Sequence, residues 1–196
     1  MTSAPSGLLL LGTSHVGKST CAEAVGRAVG WPVVSTDKLG RHPGRPWTGT
    51  PDPVIEFYLR MTDDAIHWFL LMHHENMRPV IQERLRALRA AGAGFVLEGA
   101  ALRPEHLSGW EVGDALVACL YVEPQVLRER LLSASDHSRQ DDRIKVAIDR
   151  FAERSLRENE ALVQAAIGHG VRVVDVTDPN DADRLAGELA SRLAST

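Results

Sequence analysis

The sequence predicts an α/β fold in which helices cover both faces of a parallel β-sheet. Short apolar segments alternate along the chain with longer segments of helical periodicity, and this alternation is typical of parallel sheets. The first apolar segment, residues 7–11, reads Gly-Leu-Leu-Leu-Leu, as expected of a strand that is buried on both faces. No internal repeat or low-complexity tract interrupts the pattern.

The elements follow in order along the chain. We expect strands at residues 7–11, 31–35, 94–97, 115–122 and 171–176. The spacing of apolar residues predicts helices over residues 19–29, 54–72, 79–91, 125–132, 144–167 and 182–193. Gly30 is placed to end the first helix, and Pro79 suits the first turn of the third. Residues 41–53, with four prolines, and the polar residues 133–143 are predicted loops.

Length and composition limit the classes of protein. A chain of 196 residues suits a single domain over residues 1–196 and is too short for a bilobal protein kinase or a (β/α)₈ barrel. The net charge of −4 creates no basic field for nucleic acid. Two distant cysteines indicate neither a disulfide framework nor a metal site, and no apolar run reaches membrane-spanning length. We therefore expect a cytoplasmic protein without nucleic-acid or membrane partners.

A phosphate-binding motif directly follows the first predicted strand. Residues 12–19 read Gly-Thr-Ser-His-Val-Gly-Lys-Ser, which fits G-x-x-x-x-G-K-[ST]. Lys18, one of only three lysines, would bind the β- and γ-phosphates, and the Ser19 hydroxyl would hold Mg²⁺. The alternative is a glycine-rich turn with an incidental lysine. The predicted nucleotide-binding residues are Gly12, Thr13, Ser14, His15, Val16, Gly17, Lys18, Ser19 and Thr20.

An aspartate, Asp37, follows the second predicted strand. In an open parallel sheet ligands bind beyond the carboxyl ends of the strands, so Asp37 should face the same crevice as the loop. Its carboxylate could take the proton of a substrate hydroxyl or ligate the metal. Alternatively, Asp37 or Thr36 only caps the following turn.

These motifs together resemble the small P-loop kinases of the nucleoside-monophosphate-kinase-like group. Within that group, Gly-Thr-Ser-His-Val-Gly-Lys-Ser-Thr and Ser-Thr-Asp-Lys-Leu-Gly-Arg-His-Pro-Gly-Arg-Pro-Trp resemble 2-phosphoglycerate-kinase-like proteins. The similarity to chloramphenicol phosphotransferase, gluconate and shikimate kinases and zeta toxins is looser. The resemblance implies a three-layer P-loop NTPase fold with a five-stranded parallel sheet of order 2-3-1-4-5. It also implies ATP and Mg²⁺ as cofactors, a substrate flap over about residues 38–92 and a lid over about residues 133–150.

The resemblance also implies residues that bind the substrate. Glu98 and Gly99 end the third predicted strand like the Asp-Gly of nucleotide kinases, although Arg103 comes one residue later than the arginine of that pattern. Glu98 would bind Mg²⁺ through water or touch the substrate, or else would cap a helix or form an ion pair. Arg41 and Arg45 carry the planar fork that binds phosphate or carboxylate, or else are solvated on a surface loop.

A second group of arginines lies in and after the predicted lid. Arg143, Arg150 and Arg154 share one helix face if that helix begins early enough. We expect Arg139 or Arg143 to close over the ATP phosphates and stabilise the transferred charge. The alternative is an exposed face with ion pairs between residues four apart.

Two further segments contain polar residues of interest. By analogy with related kinases, Thr177 after the fifth predicted strand lies where adenine is held, mostly through the backbone. The run His73-His74-Glu75 lacks a third ligand at metal-binding spacing and is predicted to lie on the surface of a helix.

The leading hypothesis is an ATP- and Mg²⁺-dependent kinase that phosphorylates a hydroxyl of a small molecule, either a phosphoglycerate-like acid or an antibiotic or other secondary metabolite. In this hypothesis Lys18 holds phosphates, Ser19 holds the metal and Asp37 takes the hydroxyl proton. The alternatives are a nucleoside or nucleoside-monophosphate kinase and a non-catalytic ATP-binding switch or interaction module. A homodimer is left open, and a GTPase is disfavoured because the chain lacks Asn-Lys-x-Asp.

Overall fold

A computed structural model of the protein describes residues 5–40, 44–47 and 49–194. Within them, neighbouring strands pair in parallel in the order β2-β3-β1-β4-β5. This order confirms the fold that the resemblance implies. The strands are β1 (Gly7–Leu11), β2 (Val33–Ser35), β3 (Phe95–Glu98), β4 (Leu116–Tyr121) and β5 (Arg172–Asp175).

Helices cover both faces of this sheet. The first predicted helix and the last three begin and end within three residues of the predicted positions. Short 3₁₀ turns occur at Thr36–Lys38, Pro104–Gly109 and His137–Arg139. The helices are α1 (Lys18–Val29), α2 (Asp52–Arg60), α3 (Asp63–Ala90), α4 (Pro124–Ala134), α5 (Asp142–Gly168) and α6 (Pro179–Ala194).

The second and third predicted helices are divided at a different point. The break lies at residues 61–62, where the Thr62 hydroxyl accepts a hydrogen bond of 3.2 Å from the Ala65 amide and caps α3. Pro79 does not begin a helix but lies inside α3, so its predicted first-turn position is wrong. An interior proline costs about 3 kcal/mol. Burial of Ile81 and Leu85 against the sheet offsets that cost and holds α3 continuous.

The core is divided into two parts by the sheet. In β1, Leu8 and Leu10 pack on one face with α1 and α6, whereas Leu9 and Leu11 pack on the other face with α3 and α5. All four leucines are fully buried, which confirms the prediction of a strand covered on both faces. No helix of the described part of the chain is long and apolar enough to cross a membrane.

The carboxyl ends of β1, β2 and β3 meet at one edge of the sheet, where the ligand site of an open parallel sheet lies. The turns that leave β2 and β3 approach each other closely. A Cβ atom on Gly99, whose φ is +155°, would lie 1.7 Å from the Thr36 hydroxyl oxygen. Glycine is therefore required there, and the close approach brings the Asp37 segment to the same edge as the end of β3.

Candidate active site

The loop between β1 and α1 has a backbone suited to anion binding. Gly12, His15 and Gly17 have positive φ values of 140°, 65° and 96°. A side chain on Gly12 would place its Cβ 2.8 Å from the Leu120 carbonyl oxygen, so only glycine lets the loop pass this close to β4. Because α1 begins at Lys18, its free amide groups and the positive end of its dipole face this loop.

The side chain of Lys18 lies inside this loop. Its side chain is buried, and Nζ donates a hydrogen bond of 2.6 Å to the Thr13 carbonyl oxygen. Burial lowers the pKa of Lys18, while the negative charges of Glu98 and Asp37 oppose that shift. The ammonium group is thus held at the loop by one carbonyl and two carboxylate charges. A phosphate oxygen at the loop would be a stronger acceptor than the carbonyl.

The Asp37 carboxylate is free to meet a ligand. Asp37 is exposed and accepts no hydrogen bond from the residues that the structure describes. Ser35 occupies the N-cap of the 3₁₀ turn that contains Asp37, and no side chain caps this turn. The capping interpretation of Asp37 therefore has no support in the geometry.

A cleft opens beside the loop and encloses about 810 Å³ including its mouth. Thr13 and Ser14 of the loop line it together with Asp37. One wall is apolar and is formed by Phe57, Tyr58, Ile66, Phe69, Leu70 and Phe151. The polar side chains that line the cleft form its polar wall, and they are Arg45, His73, His74, Arg154 and Glu158.

Solved structures with this arrangement of strands identify the fold. A sugar kinase from Janibacter sp. HTCC2649 superposes with a TM-score of 0.58 at 16% identity, covering 96% of this chain and 94% of its own. A gluconokinase from Sinorhizobium meliloti 1021 gives 0.55 at 20% identity over 98% and 94%. A shikimate kinase from Acinetobacter baumannii, solved with shikimate, gives 0.53 at 16% over 97% and 94%. The fold is that of the small P-loop kinases.

No family model and no curated protein matches the sequence, so the P-loop kinase fold rests on the structure. The fold-level part of the predicted resemblance, to kinases of the nucleoside-monophosphate-kinase-like group, is confirmed. The finer resemblance to 2-phosphoglycerate-kinase-like proteins stays a prediction.

Magnesium is the ion that P-loop kinases need, and the donors at the loop fit it. The Ser19 hydroxyl is exposed at the start of α1, and Asp37 adds an exposed carboxylate. These are hard oxygen ligands, and Mg²⁺ usually takes only one or two carboxylates besides phosphate oxygens and water. Glu98, by contrast, is buried at the end of β3. Its charge acts on Lys18, whereas its predicted contact with metal or substrate stays a prediction.

A buried polar network supports the polar wall of the cleft. Glu158 on α5 is fully buried and accepts hydrogen bonds from Arg103 and, at 2.8 Å, from Nε2 of His67. Arg103 also donates to Glu105 at 3.0 Å and to Nδ1 of His74 at 3.4 Å. The guanidinium of Arg103 is thus engaged inside the protein. The geometry places it behind His74 and Glu158 in a positioning role, and its predicted contact with substrate has no support here.

The prediction that His73-His74-Glu75 lies on a surface is wrong for His74. Only 2% of His74 is exposed, and its imidazole lies against Arg103. His67 and His74 are seven residues apart on α3, and both contact the Arg103–Glu158 pair, His74 through Arg103. Polarity alone predicts exposure, and only the partners on distant segments reveal this buried face.

Loss of the Glu158 carboxylate is expected to destabilise the fold. Glu158→Ala removes the carboxylate that accepts from His67 and leaves Glu105 as the carboxylate partner of Arg103, and breaking a buried ion pair costs about 3–5 kcal/mol. Urea denaturation measures this loss. Glu160→Ala, exposed two residues along the same helix, should change the unfolding free energy by less than about 0.5 kcal/mol. Equal stability of the two variants would contradict the prediction.

The ring of His15, in the loop between β1 and α1, contacts an aromatic side chain. Its ring lies 5.8 Å from Trp47, which contacts Phe151 edge-on at 5.1 Å. Burial, aided by the charges of Arg45, Lys18 and Arg154, lowers the pKa of His15 to about 4. The side chain is therefore neutral near pH 7 and adds no charge to the loop.

Titration of His15 should show this shift. The unfolded chain takes up the proton near its ordinary pKa of 6.5, whereas the folded protein takes it up only near 4. The contribution of His15 to stability is therefore complete above pH 6.5 and is lost as the pH falls towards 4. The imidazole proton signal in NMR, assigned by its absence in His15→Gln, should titrate near 4. A midpoint near 6.5 would contradict the burial of the ring.

Two arginines of the predicted lid contact helices of the predicted flap. Arg143 donates to Glu56 and, at 3.2 Å, to Asp52, both on α2, and Arg150 pairs with Asp63 at 3.5 Å. The alternative of ion pairs with residues four apart on their own helix is therefore wrong for both. A role of Arg143 at the ATP phosphates stays a prediction, and it requires release of the two carboxylates.

Of the other predicted site arginines, one is exposed in a turn, one lines the cleft and one is not described. Arg139 is exposed beside Asp136, at 3.6 Å, in the short 3₁₀ turn between α4 and α5. Arg45 lines the cleft, and its charge reaches His15. Arg41 lies outside the described residues.

Thr177 is already engaged by neighbouring groups. Its amide donates to Asp175 at 2.8 Å, and its hydroxyl oxygen accepts from the Glu123 amide at 2.8 Å. Its carbonyl oxygen accepts from Arg130 at 2.8 Å. The predicted contact with adenine stays a prediction, for which the second lone pair of that carbonyl is the free group.

Arg154 is a cleft residue that sequence reasoning did not select. Its guanidinium stacks on Phe151 at 4.2 Å and donates to the Ser155 hydroxyl at 3.1 Å. Its Nε is buried without a partner among the residues described. The signal in the sequence is the spacing of Phe151, Arg154 and Glu158, which places two charges on the apolar face of α5.

Proposed function

We propose that this protein transfers the γ-phosphoryl group of ATP to a hydroxyl of a small molecule. One observation carries the proposal: a phosphate-binding loop and a carboxylate without a hydrogen-bond partner among the described residues open into the same cleft. Thr13 and Ser14 represent the loop there, and Asp37 is the carboxylate. The P-loop kinase fold supports it, since the neighbouring structures are a sugar kinase, a gluconokinase and a shikimate kinase.

The loop between β1 and α1 would bind the phosphates of ATP. The amides of residues 12–20 and the ammonium of Lys18 would hold the β- and γ-phosphates of ATP. Mg²⁺, held by Ser19 and Asp37 with phosphate oxygens, would neutralise charge on the transferred group. Glu98 would act through Lys18, whose charged form it favours.

The acceptor end belongs to Asp37. The hydroxyl oxygen of the acceptor attacks the γ-phosphorus, the bond from phosphorus to the bridging oxygen of ADP breaks, and the hydroxyl proton passes to the Asp37 carboxylate. Arg45 lies in the cleft and would stabilise charge on the transferred group or bind an anionic acceptor. Arg139 would contribute only after movement of its 3₁₀ turn, and Arg143 only after release of Glu56 and Asp52.

A screen of acceptors tests this proposal. ADP release from ATP and Mg²⁺ is measured with phosphorylated acids, nucleosides, nucleoside monophosphates and hydroxylated antibiotics. We expect at least one acceptor to raise ADP release about tenfold or more over ATP alone, and Lys18→Met to abolish the rise. If ATP binds but no acceptor of any class stimulates its turnover, the non-catalytic ATP-binding module replaces the kinase.

Of the two acceptors considered from the sequence, the lining of the cleft favours the antibiotic or secondary metabolite. A phosphoglycerate-like acid has no apolar surface to place against Phe57, Tyr58 and Phe69. The screen decides between them directly, because both classes are among its acceptors.

A further inference from the structure

The apolar wall of the cleft is built as a set of aromatic contacts. The ring of Phe57 lies 5.2 Å from Tyr58 and 5.1 Å from Phe69, and Tyr58 lies 6.0 Å from Phe151. Phe69 is 41% exposed although it lines a cleft whose other aromatic residues are largely covered. Covering apolar surface of this kind is favourable when the ligand also buries apolar surface of its own.

On the polar wall, His74 is fixed as a hydrogen-bond donor. An arginine can only donate, so the contact of 3.4 Å from Arg103 makes Nδ1 of His74 the acceptor. The ring proton of the neutral imidazole is therefore on Nε2. Burial, with the cation of Arg103 beside it, holds the pKa of His74 well below its usual value, so the ring stays neutral. Nε2 has no partner within the described part of the chain, and His74 lines the cleft.

Arg103 is in turn held rigidly. Glu158 and Glu105 both accept hydrogen bonds from it, and His67 holds the second oxygen of Glu158. The orientation of the His74 ring is therefore set by a network that reaches from α3 to α5. A donor that the fold orients in this way costs little entropy when a ligand binds it.

The guanidinium of Arg154 adds positive charge near the same donor. Its charge lowers the pKa of His74 in the cleft and also that of His15 in the P-loop, so it lies within electrostatic range of both. Arg154 lines the cleft, and within the described residues one of its Nη groups donates a hydrogen bond to the Ser155 hydroxyl. Its other Nη N–H groups can donate to a carboxylate oxygen of a ligand.

We infer that the acceptor is a hydroxylated carboxylic acid with an apolar face of the size of a ring. The apolar face packs on Phe57 and Phe69, the carboxylate binds Arg154 and the Nε2 proton of His74, and the hydroxyl lies towards Asp37. This inference rests on the proposed function, because it names the class of acceptor for the same cleft. His74 is the specificity-determining residue, and Arg103 positions it.

Binding of matched probes to the full-length chain tests the acceptor class without any phosphoryl transfer. The probes para-(hydroxymethyl)benzoate, the saturated para-(hydroxymethyl)cyclohexanecarboxylate and glycerate share a carboxylate and a primary hydroxyl, and only the first two carry a ring. We expect the two ring compounds to bind with dissociation constants near or below about 1 mM by calorimetry. Glycerate and phosphoglycerate should bind about tenfold more weakly or worse.

Variants then assign the contacts. Phe69→Ala and Arg154→Gln should each weaken binding of the ring carboxylates about tenfold. The matched controls are Trp68→Ala, next to Phe69 on α3 but outside the cleft, and Arg157→Gln, which is exposed and pairs with Asp64. Neither control should change the affinity. His74→Leu should lose about tenfold, whereas His74→Gln, which keeps an N–H donor, should restore most of that loss.

The outcomes separate this inference from the proposed function. If the ring compounds fail to bind, or if phosphoglycerate binds as tightly as they do, the acceptor class is wrong. Unchanged affinity in Phe69→Ala and Arg154→Gln would also overturn it. If the ring compounds bind as expected but neither they nor any acceptor in the screen is phosphorylated, the proposed function fails while the binding site stands.

Discussion

Replacement of Asp37 by asparagine is expected to lower the rate of phosphoryl transfer by about 10²–10⁴-fold. The carboxylate is exposed in the cleft and accepts no hydrogen bond from the described residues. Asparagine at this position should therefore leave the fold unchanged. Asparagine keeps the shape of the side chain but cannot take the proton of the acceptor hydroxyl. Single-turnover measurements with saturating ATP and an acceptor found in the screen give the rate directly.

A second readout separates the two roles of Asp37. If the carboxylate acts only as the base, the Mg²⁺ concentration needed for half-maximal rate stays unchanged in Asp37→Asn. If it also ligates the ion, that concentration rises. Asp64→Asn, an exposed aspartate on α3, is the control and should behave as the parent protein. An unchanged transfer rate in Asp37→Asn would assign this residue to local structure alone.

Replacement of Lys18 by methionine is expected to lower phosphoryl transfer by about 10³-fold, the loss typical of removing a preorganised group that stabilises developing charge. Methionine fills much of the buried space of the lysine stem, so the loop should keep its fold. The ammonium group donates to the Thr13 carbonyl oxygen, and in the proposed function it binds the phosphates. Both the transfer rate and the affinity for ATP should fall, as measured by quenched-flow kinetics and calorimetry.

Another of the three lysines, Lys145, provides a matched control for this variant. Lys145 on α5 pairs with Asp142 at 3.6 Å and lies outside the cleft. Lys145→Met should therefore retain the rate and the affinity of the parent protein. Parent-like transfer by Lys18→Met would mean that the motif is a structural turn, and the kinase proposal would be lost.

The phosphate end of the site could be predicted from contiguous residues. The geometry of the loop depends on Gly12 and on the start of α1, and both are visible in a run of nine residues, 12–20. The position of Asp37 follows from one rule about parallel strands, because residues that leave neighbouring strands emerge at the same edge of the sheet. Local sequence carries this information because a loop of this kind binds phosphate through its own backbone amides rather than through distant side chains.

The rest of the cleft, away from the loop and Asp37, could not be predicted in this way. His67 and Glu158 are 91 residues apart in the chain, and Arg103 and Glu158 are 55 apart, yet they form one buried network. In the sequence His74 has the same polar character as a surface histidine, and Arg154 the same character as a solvated arginine. Burial of a polar group is favourable only when partners satisfy it, and those partners come from other elements.

The sequence by itself therefore determined the sheet, the phosphate-binding loop and the place of Asp37, because each depends on short-range pattern or on a topological rule. The tertiary structure alone decided where α2 ends and α3 begins, and which arginines line the cleft. It also decided that Arg103 supports His74 and that aromatic rings line the same cleft. The physical reason is that α2, α3 and α5 build the cleft from side chains distant in the chain, whose contacts exist only after these helices pack.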